Sequence, residues 1–282
     1  MLNSHKLPVS VLIMTQNEEV NIRFALDSVI NYFDEIIVCD SYSTDQTFAI
    51  LNEYSQIKIF KNTFLSWADQ RNWMLQNCDI KNKYVFFLDA DESIDKSFYS
   101  ELKEIIEKEI EFSAIYLKVK FIFLGKWLKF AYGHPNIRRI FNKDNVSFLA
   151  DGAREYAQVN NELPDLLLKS RLIHYDKKPI DDWVVKHLKN STREAIASSA
   201  TKEISTEKLP LKLKTKLFIR NTIWNKLPPT IKIFLYFNYR YFLQLGFLDG
   251  YRGFIYVFLH SVWYQMMIQI KMIENKVVSN EK

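Results

Sequence analysis

A disulfide framework is excluded at once, because the 282-residue chain holds only two cysteines, Cys39 and Cys78. Small secreted scaffolds stapled by bridges need more. Cys39 sits inside an apolar run and reads as a buried thiol in a reducing compartment. Glycine is scarce as well, six in all, and none falls in Thr15-Gln16-Asn17-Glu18-Glu19, where a glycine-rich phosphate loop would follow the first apolar run. The opening Met1 to Pro8 stretch lacks the apolar core ending in small residues that a secretory signal carries, so a cytoplasmic location is expected. Long apolar runs are missing with one exception. The uncharged stretch from Gly253 to Ile270 just reaches the roughly 18 residues of a membrane span, but His260, Gln265 and Gln269 make it poor for hydrocarbon.

What the chain does have is core-forming material. Its 48% apolar and 15% aromatic content suits one large α/β domain, alone or with an appendage. The net charge of +5 is unevenly spread: Thr201 to Lys282 carries 13 Lys/Arg against 5 Asp/Glu, a net of +8, which leaves the preceding residues at −3. An acidic body with a basic, aromatic tail implies that the tail meets something anionic. A nucleic-acid binder would need its basic face on the body, so nucleic acid is not an expected partner.

The stretch around which the chain is organised is Tyr84-Val85-Phe86-Phe87-Leu88-Asp89-Ala90-Asp91-Glu92. A continuous apolar run is how a buried strand of a parallel sheet reads, and ligands sit beyond the carboxyl ends of such strands. Asp89 and Asp91 are two apart, so in extended chain their carboxylates point to one side. They would repel unless joined by a cation, and Mg²⁺ or Mn²⁺ fits, held by one or two carboxylates and the phosphates of a substrate.

The pattern elsewhere supports the same architecture. Val9–Thr15 is expected as the first strand, with Asn17 capping a helix whose inner stripe is Val20, Phe24 and Ala25. Glu35–Asp40 is the second strand, again acid-tipped, and Ser41–Thr47 leads into a helix through Ile50 and Leu51. A short strand at Ile57–Phe60 and a helix from Ser66 to Gln76 precede the Asp89 strand. A helix then starts at Asp95 or Ser97, and Ala114–Val119 reads as a strand. Phe121 to Phe148 reads as irregular, aromatic-rich chain suited to an acceptor side. Asp181 caps a helix; Pro228-Pro229 opens another that Gly246 closes, and a last helix lies beyond Asp249. Strands alternating with helices at this spacing predict βαβ units and a largely parallel, doubly wound sheet.

Taken together, Asp40 with Ser43-Thr44-Asp45-Gln46-Thr47, then Leu88-Asp89-Ala90-Asp91-Glu92, resemble the family 2 glycosyltransferases. Trp67-Ala68-Asp69-Gln70-Arg71-Asn72 and Gly246-Phe247-Leu248-Asp249-Gly250 resemble the branch that adds sugars to lipopolysaccharide cores and related bacterial glycans. Tyr42 and Gln46 stand where that family often has glycine, and Arg154 where it often has histidine. The resemblance implies a GT-A fold, Rossmann-like with a mainly parallel sheet flanked by helices, plus a C-terminal amphipathic helical appendage. It implies an inverting hexosyltransferase using a UDP-linked sugar and a divalent metal, acting on a saccharide or lipid-linked glycan. Asp91 would hold the metal, with Asp89 as second ligand or ribose contact. Asp40 would accept from the base, Thr15 and Glu18 would wall the nucleotide pocket, and Gln70, Arg71 and Arg139 would face the donor. Inversion needs one general base on the acceptor side; Glu155 matches the family's acid there, with Asp151 in reserve. His174 falls where a histidine is frequent and is carried as a secondary candidate.

Two other classes compete. A sugar nucleotidyltransferase would share the sheet and paired acids but usually has the missing glycine-rich loop. A non-catalytic membrane adaptor would explain the tail but leave the acid-tipped strands idle. The expected organisation is a catalytic domain over 1–205, with a nucleotide-sugar half of about 1–95 and an acceptor half of about 96–205, followed by a membrane-associating or oligomerising region over 206–282. In that region Lys212, Lys214, Lys216, Arg220, Lys226 and Lys232 would meet anionic head groups of the inner membrane face, with Trp224, Tyr236 and Tyr239 at the interface. A homo-oligomer through these helices is the other expected partner.

Overall fold

Strand β1 (Leu7–Thr15) is buried on both faces, as its unbroken apolar run requires, and runs parallel between β2 (Phe33–Asp40) and β4 (Tyr84–Asp89). The short β3 (Lys58–Lys61) pairs with β2 and closes that edge. On the other side of β4 come β8 (Asn136–Asn142), β6 (Ala114–Phe123), β11 (Leu166–His174) and the two-residue β5 (Glu92–Ser93). Of these, β8 is antiparallel to both its neighbours, and β6 and β11 are parallel to each other. The two-residue β7 (Lys126–Trp127) folds back on the end of β6, and β9 (Val146–Asp151) forms a separate hairpin with β10 (Arg154–Val159). This computed structural model describes residues 6–133, 135–151, 154–160, 162–199 and 227–280.

Helices cover the sheet on two sides. Phe86, Leu88, Ile115 and Leu117 pack under α1 (Ile22–Val29), α2 (Thr47–Leu51) and α4 (Lys96–Glu107). Val85, Phe87 and Phe141 pack against α3 (Trp67–Asn77) and β9. Two helix starts follow their expected caps. The Ser66 hydroxyl accepts from the Asp69 N–H at 3.1 Å and donates to its carboxylate at 2.6 Å, and Asp95 accepts from the Phe98 N–H at 3.0 Å.

Two expectations fail for stated reasons. Asn17 does not cap α1, which begins at Ile22 and buries Ile22, Ala25, Leu26 and Val29, leaving Val20 and Phe24 exposed at 41% and 54%. Asn17 instead takes a left-handed φ of 55°; its N–H donates to Ser43 Oγ (2.9 Å) and its Oδ1 accepts from the Thr44 N–H (2.8 Å). It knits together the loops beyond β1 and β2. The stretch from Phe121 to Phe148 is not irregular either, since it supplies the end of β6, all of β7 and β8, and part of β9. Strand β8 escaped notice because Arg138-Arg139 breaks the alternation. Ile115 pairs with Ile140 and Tyr116 with Arg138, so Arg139 is the extra residue of a bulge.

The chain divides into two compact units, one of Met1–Lys129 with His134–Ile180, the other of Phe130–Gly133 with Asp181–Lys282. The expected 205/206 boundary and the basic stretch from Leu211 to Lys226 lie outside the described residues. The second unit holds α5 (Ile180–Ser199), α6 (Pro229–Asn238), α7 (Gly250–Phe258) and α8 (Tyr264–Asn280). A π-type turn at Tyr239–Leu243 extends α6, and Gly246–Asp249 forms a 3₁₀ turn rather than a helix end. A Cβ on Gly246 would stand 2.7 Å from the Arg240 carbonyl, and one on Gly253 would stand 2.5 Å from Asp249 Cβ. The buried Asp249 carboxylate accepts from the N–H groups of Phe130 and Ala131, each at 2.8 Å, and Arg240 donates to the Ala131 carbonyl. Gly246-Phe247-Leu248-Asp249-Gly250 is therefore a clamp on the 130–133 segment. Among the described residues, no helix is long and apolar enough to cross a membrane.

Candidate active site

Three parallel strands end together. Thr15 of β1 is level with Asp40 of β2, and Met14 is level with Asp89 of β4. The sheet thus places an acid at the tip of β2 and of β4, on the edge where ligands bind in open α/β folds.

Asp89 is the hub of an ion-pair chain. Arg139 donates to it through Nη2 (2.5 Å) and Nη1 (3.2 Å), and Arg71 Nη2 through a further contact of 3.2 Å. Arg139 also meets Glu92 at 2.7 Å, and Arg71 Nη1 meets Glu155 Oε1 at 2.9 Å. The bulge in β8 aims Arg139 here, while α3 delivers Arg71 between the rings of Phe87 and Phe148, 5.2 and 5.4 Å away. The sequence Glu155–Arg71–Asp89–Arg139–Glu92 joins residues of β10, α3, β4, β8 and β5.

Burial and charge set the protonation. Burial pushes the Asp89 carboxyl up, but Arg139 and Arg71 outweigh it and hold it below the ordinary value. Burial raises Glu92 to about 7 against the pull of Arg139. Glu155 is also raised, first by burial, with Arg71 opposing. Its Oε2 is buried with no hydrogen-bond partner among the described residues, so one oxygen of that carboxylate is held and the other is not.

Asp91 is handled separately. Strand β4 ends at Asp89 and the chain turns at Ala90 and Asp91, so the two carboxylates do not project side by side from one extended strand. The Asp91 side chain is 8% exposed, with His174 Nε2 at 3.5 Å. Strand pairing between β11 and β5 sets His174 level with Glu92. Glu18 is raised first by burial and then by the charge of Asp91, while Lys178 (2.6 Å) and Asn21 (2.7 Å) hold its carboxylate.

Asp40 is 1% exposed and accepts from Ser43 through its N–H (3.0 Å) and its hydroxyl (2.5 Å). It thus serves the turn as well, although Asp45 already accepts from the Thr47 N–H at 2.9 Å. Thr15 Oγ1 is buried without a hydrogen-bond partner among the described residues. Gln70 is fully buried beneath this loop: it donates to Cys39 Sγ (3.0 Å) and Ser41 Oγ (3.2 Å) and accepts from Asn62 (2.9 Å). The side chain of Asp151 lies outside the description; its backbone is level with Arg154 in the β9–β10 hairpin. Sequence reasoning gave no role to Glu92, Asn21, Asp176 or Lys178. Asn21 donates to Asp176 at 2.8 Å, a contact 155 residues long that no local pattern announces.

A parallel sheet tipped by acids, with an antiparallel strand let in beside β4, defines a GT-A fold. Residues 10–154 match the model of Glycosyl transferase family 2, about half of the chain, and the protein belongs to that family. It is 24% identical over 269 residues to the lipopolysaccharide core biosynthesis glycosyltransferase LpsC of Rhizobium meliloti, across 90% of each chain. It is 29% identical over 143 residues to an uncharacterized glycosyltransferase of Rickettsia bellii, across 50% of this chain and 48% of that one. The chain spans about half to two thirds of the length of the Rickettsia relatives it matches. Among solved structures, Staphylococcus aureus TarS 1-349 aligns with a TM-score of 0.50 at 16% identity, covering 96% of this chain and 89% of that one. The Pyrobaculum calidifontis mannosyltransferase PcManGT, in complex with GDP-Man and Mn²⁺, aligns at 0.51 and 14% identity, covering 97% and 89%.

Proposed function

We propose that the chain is an inverting hexosyltransferase that moves a sugar from a UDP-linked donor to a saccharide of a lipopolysaccharide core or another lipid-linked glycan. The observation that carries this reading is the Glu155–Arg71–Asp89 chain beside acid-tipped β2 and β4. The LpsC relative supports the acceptor class, and TarS 1-349, solved in complex with UDP, supports the donor class.

Each residue then has one task. Asp40 accepts from the base, and Thr15 Oγ1, buried and without a partner among the described residues, lines the pocket beside it. Arg71 and Arg139 fix Asp89 toward the ribose and present positive charge to the diphosphate. Glu155 takes the proton of the acceptor hydroxyl while Arg71 holds Oε1. A carboxylate raised above its ordinary value is a better base than a solvated one.

The acids also fit a divalent cation. Asp91 and Glu18 repel each other in a nearly buried setting, and His174 adds a nitrogen donor at 3.5 Å from Asp91. Asp91 with His174 would hold the ion; Asp89, committed to two arginines, would orient rather than ligate. When bound, the metal neutralises the charge of the departing diphosphate.

The second unit supports a peripheral seat on an anionic membrane face. It exposes large apolar and aromatic side chains: Leu243 and Tyr251 are 76% and 77% exposed, and Phe242, Phe247 and Leu248 are exposed as well. The face of α7 and α8 carrying Tyr256, Val257, Tyr264 and Ile268 is buried against protein.

A thermal-shift screen of nucleotide sugars with and without Mn²⁺ tests the reading. Stabilisation by a UDP-sugar that depends on metal and is lost in Asp91→Asn is expected. Equal stabilisation with and without metal, in both proteins, would contradict the metal assignment, and no response to any nucleotide sugar would contradict the donor.

A further inference from the structure

One region of the first unit gathers four cations, of which Arg138 pairs with Asp165 and Lys120 acts on the carboxyl of Asp95. Lys118 of β6 is level with Asn136 of β8 on one side and Arg171 of β11 on the other. With Val119 these residues line an open pocket of about 140 Å³, far more than one water needs. Lys120 and Arg171 both approach the Trp127 ring, at 5.5 and 5.6 Å. The indole Nε1 is buried and has no acceptor among the described residues. Of Lys118, Lys120, Arg138 and Arg171, only Arg138 forms an ion pair among the described residues, with Asp165 at 2.5 Å.

A fold has no reason of its own for this arrangement. Lys118 and Arg171 on neighbouring strands repel, and a buried N–H without an acceptor is costly. An oxyanion in the pocket relieves the repulsion between Lys118 and Arg171, and local rules are broken most often where a site is built.

The pocket is close to the proposed chemistry. Ala114 packs with Val85 and Phe87, and strand alternation from Ala114 puts Lys118 and Lys120 on that same face, the one from which Asp89 projects. Phe86 is level with Ile140 in the antiparallel β4–β8 pair, so Asp89 lies level with the start of β8, near Asn136. At about 5 Å per strand, Asn136, Lys118 and Arg171 stand roughly 5 to 15 Å from Asp89 across the sheet. That is about one to three sugar units.

We propose that this pocket is a subsite for an acidic or phosphorylated sugar of the acceptor, its carboxylate or phosphate held between Lys118 and Arg171 and its ring against Trp127. The word acceptor rests on the glycosyl-transfer reading; the anion site does not.

The full chain, labelled with 5-fluorotryptophan, tests it by ¹⁹F NMR, with Trp127→Phe assigning the signal. Galacturonate and mannose 6-phosphate should shift the Trp127 resonance, while mannose and inorganic phosphate at equal concentration should do so at least tenfold more weakly. Lys118→Ala with Arg171→Ala should weaken the anionic sugars at least tenfold and leave stabilisation by UDP and Mn²⁺ unchanged. Mannose binding as well as its phosphate, inorganic phosphate binding as well as either anionic sugar, an unaffected double variant, or a silent Trp127 signal would each overturn the proposal. If UDP fails to stabilise the wild type while the anionic sugars still shift Trp127, the donor reading falls and the anion site stands.

Discussion

At the scale of single residues, Glu155 is where geometry and chemistry meet most closely. One oxygen is fixed by Arg71 and the other has no partner among the described residues, in surroundings that raise the pKa. Glu155→Gln should lower kcat by about 10²–10⁴-fold with donor KM little changed, because the loss falls on proton transfer alone. A base works deprotonated and the Glu155 pKa is raised, so under the proposed role wild-type activity should fall with acid at a pH above the ordinary glutamate value of 4.5. A pH–rate profile checks this, and an acid limb at or below 4.5 would contradict it. The placing of Asp40 and Asp89 at strand ends was legible because an apolar strand ending in an acid is a local pattern. Their partners were not. Arg139 comes from 50 residues away and reaches Asp89 only because a bulge turns it there. Tyr42 shows what the scarcity of glycine costs: it holds a left-handed φ of 56° in a turn where a side chain is strained by roughly 1–2 kcal/mol.

At the scale of elements, two tight joints make testable claims. Glu35 of β2 is buried and accepts from Ser10 Oγ, from Lys58 Nζ (2.7 Å) and from the Lys81 N–H (2.8 Å), tying three strands and the loop before β4 together at the edge opposite the site. Burial pushes its carboxyl up, but Lys58, Ser10 and Lys81 together pull it below the ordinary value of 4.5. A depressed carboxyl contributes stability above that value and loses it as pH falls through the lower folded value. Glu35→Gln should therefore cost about 2 kcal/mol near neutrality and progressively less in acid. Tm measured against pH reads this directly, and a gap that widens in acid would contradict it. The second joint is Gly253. An added Cβ would stand 2.5 Å from Asp249 Cβ and 2.6 Å from the Gly246 carbonyl, so Gly253→Ala should destabilise the second unit by about 1–3 kcal/mol. The βα alternation was readable because each element carries its own period. The α1 stripe was misread because Asn17 closes a long-range loop contact, which looks like a helix cap from its neighbours alone.

At the scale of the whole molecule, charge and exposed apolar surface point the same way. The chain from Thr201 onward carries a net +8, and the described part of the second unit exposes Leu243, Phe242, Leu248 and Tyr251. Anionic vesicles should bind the protein, with high salt or alkaline carbonate releasing it. Leu243→Glu with Tyr251→Glu should weaken binding at least tenfold without changing donor affinity. Release only by detergent would contradict a peripheral attachment. This level was half legible: composition marked the basic tail, but which apolar groups face outward depends on how Gly246 and Gly253 let the helices close.

The most direct measurement of the central claim is the anomeric configuration of the sugar released from an α-linked UDP-hexose, followed by ¹H NMR before mutarotation, with water as the acceptor. A β-sugar that appears with the wild type and is lost in Glu155→Gln, while the variant still binds donor, is the expected result. An α-sugar, or undiminished release by Glu155→Gln, would contradict it.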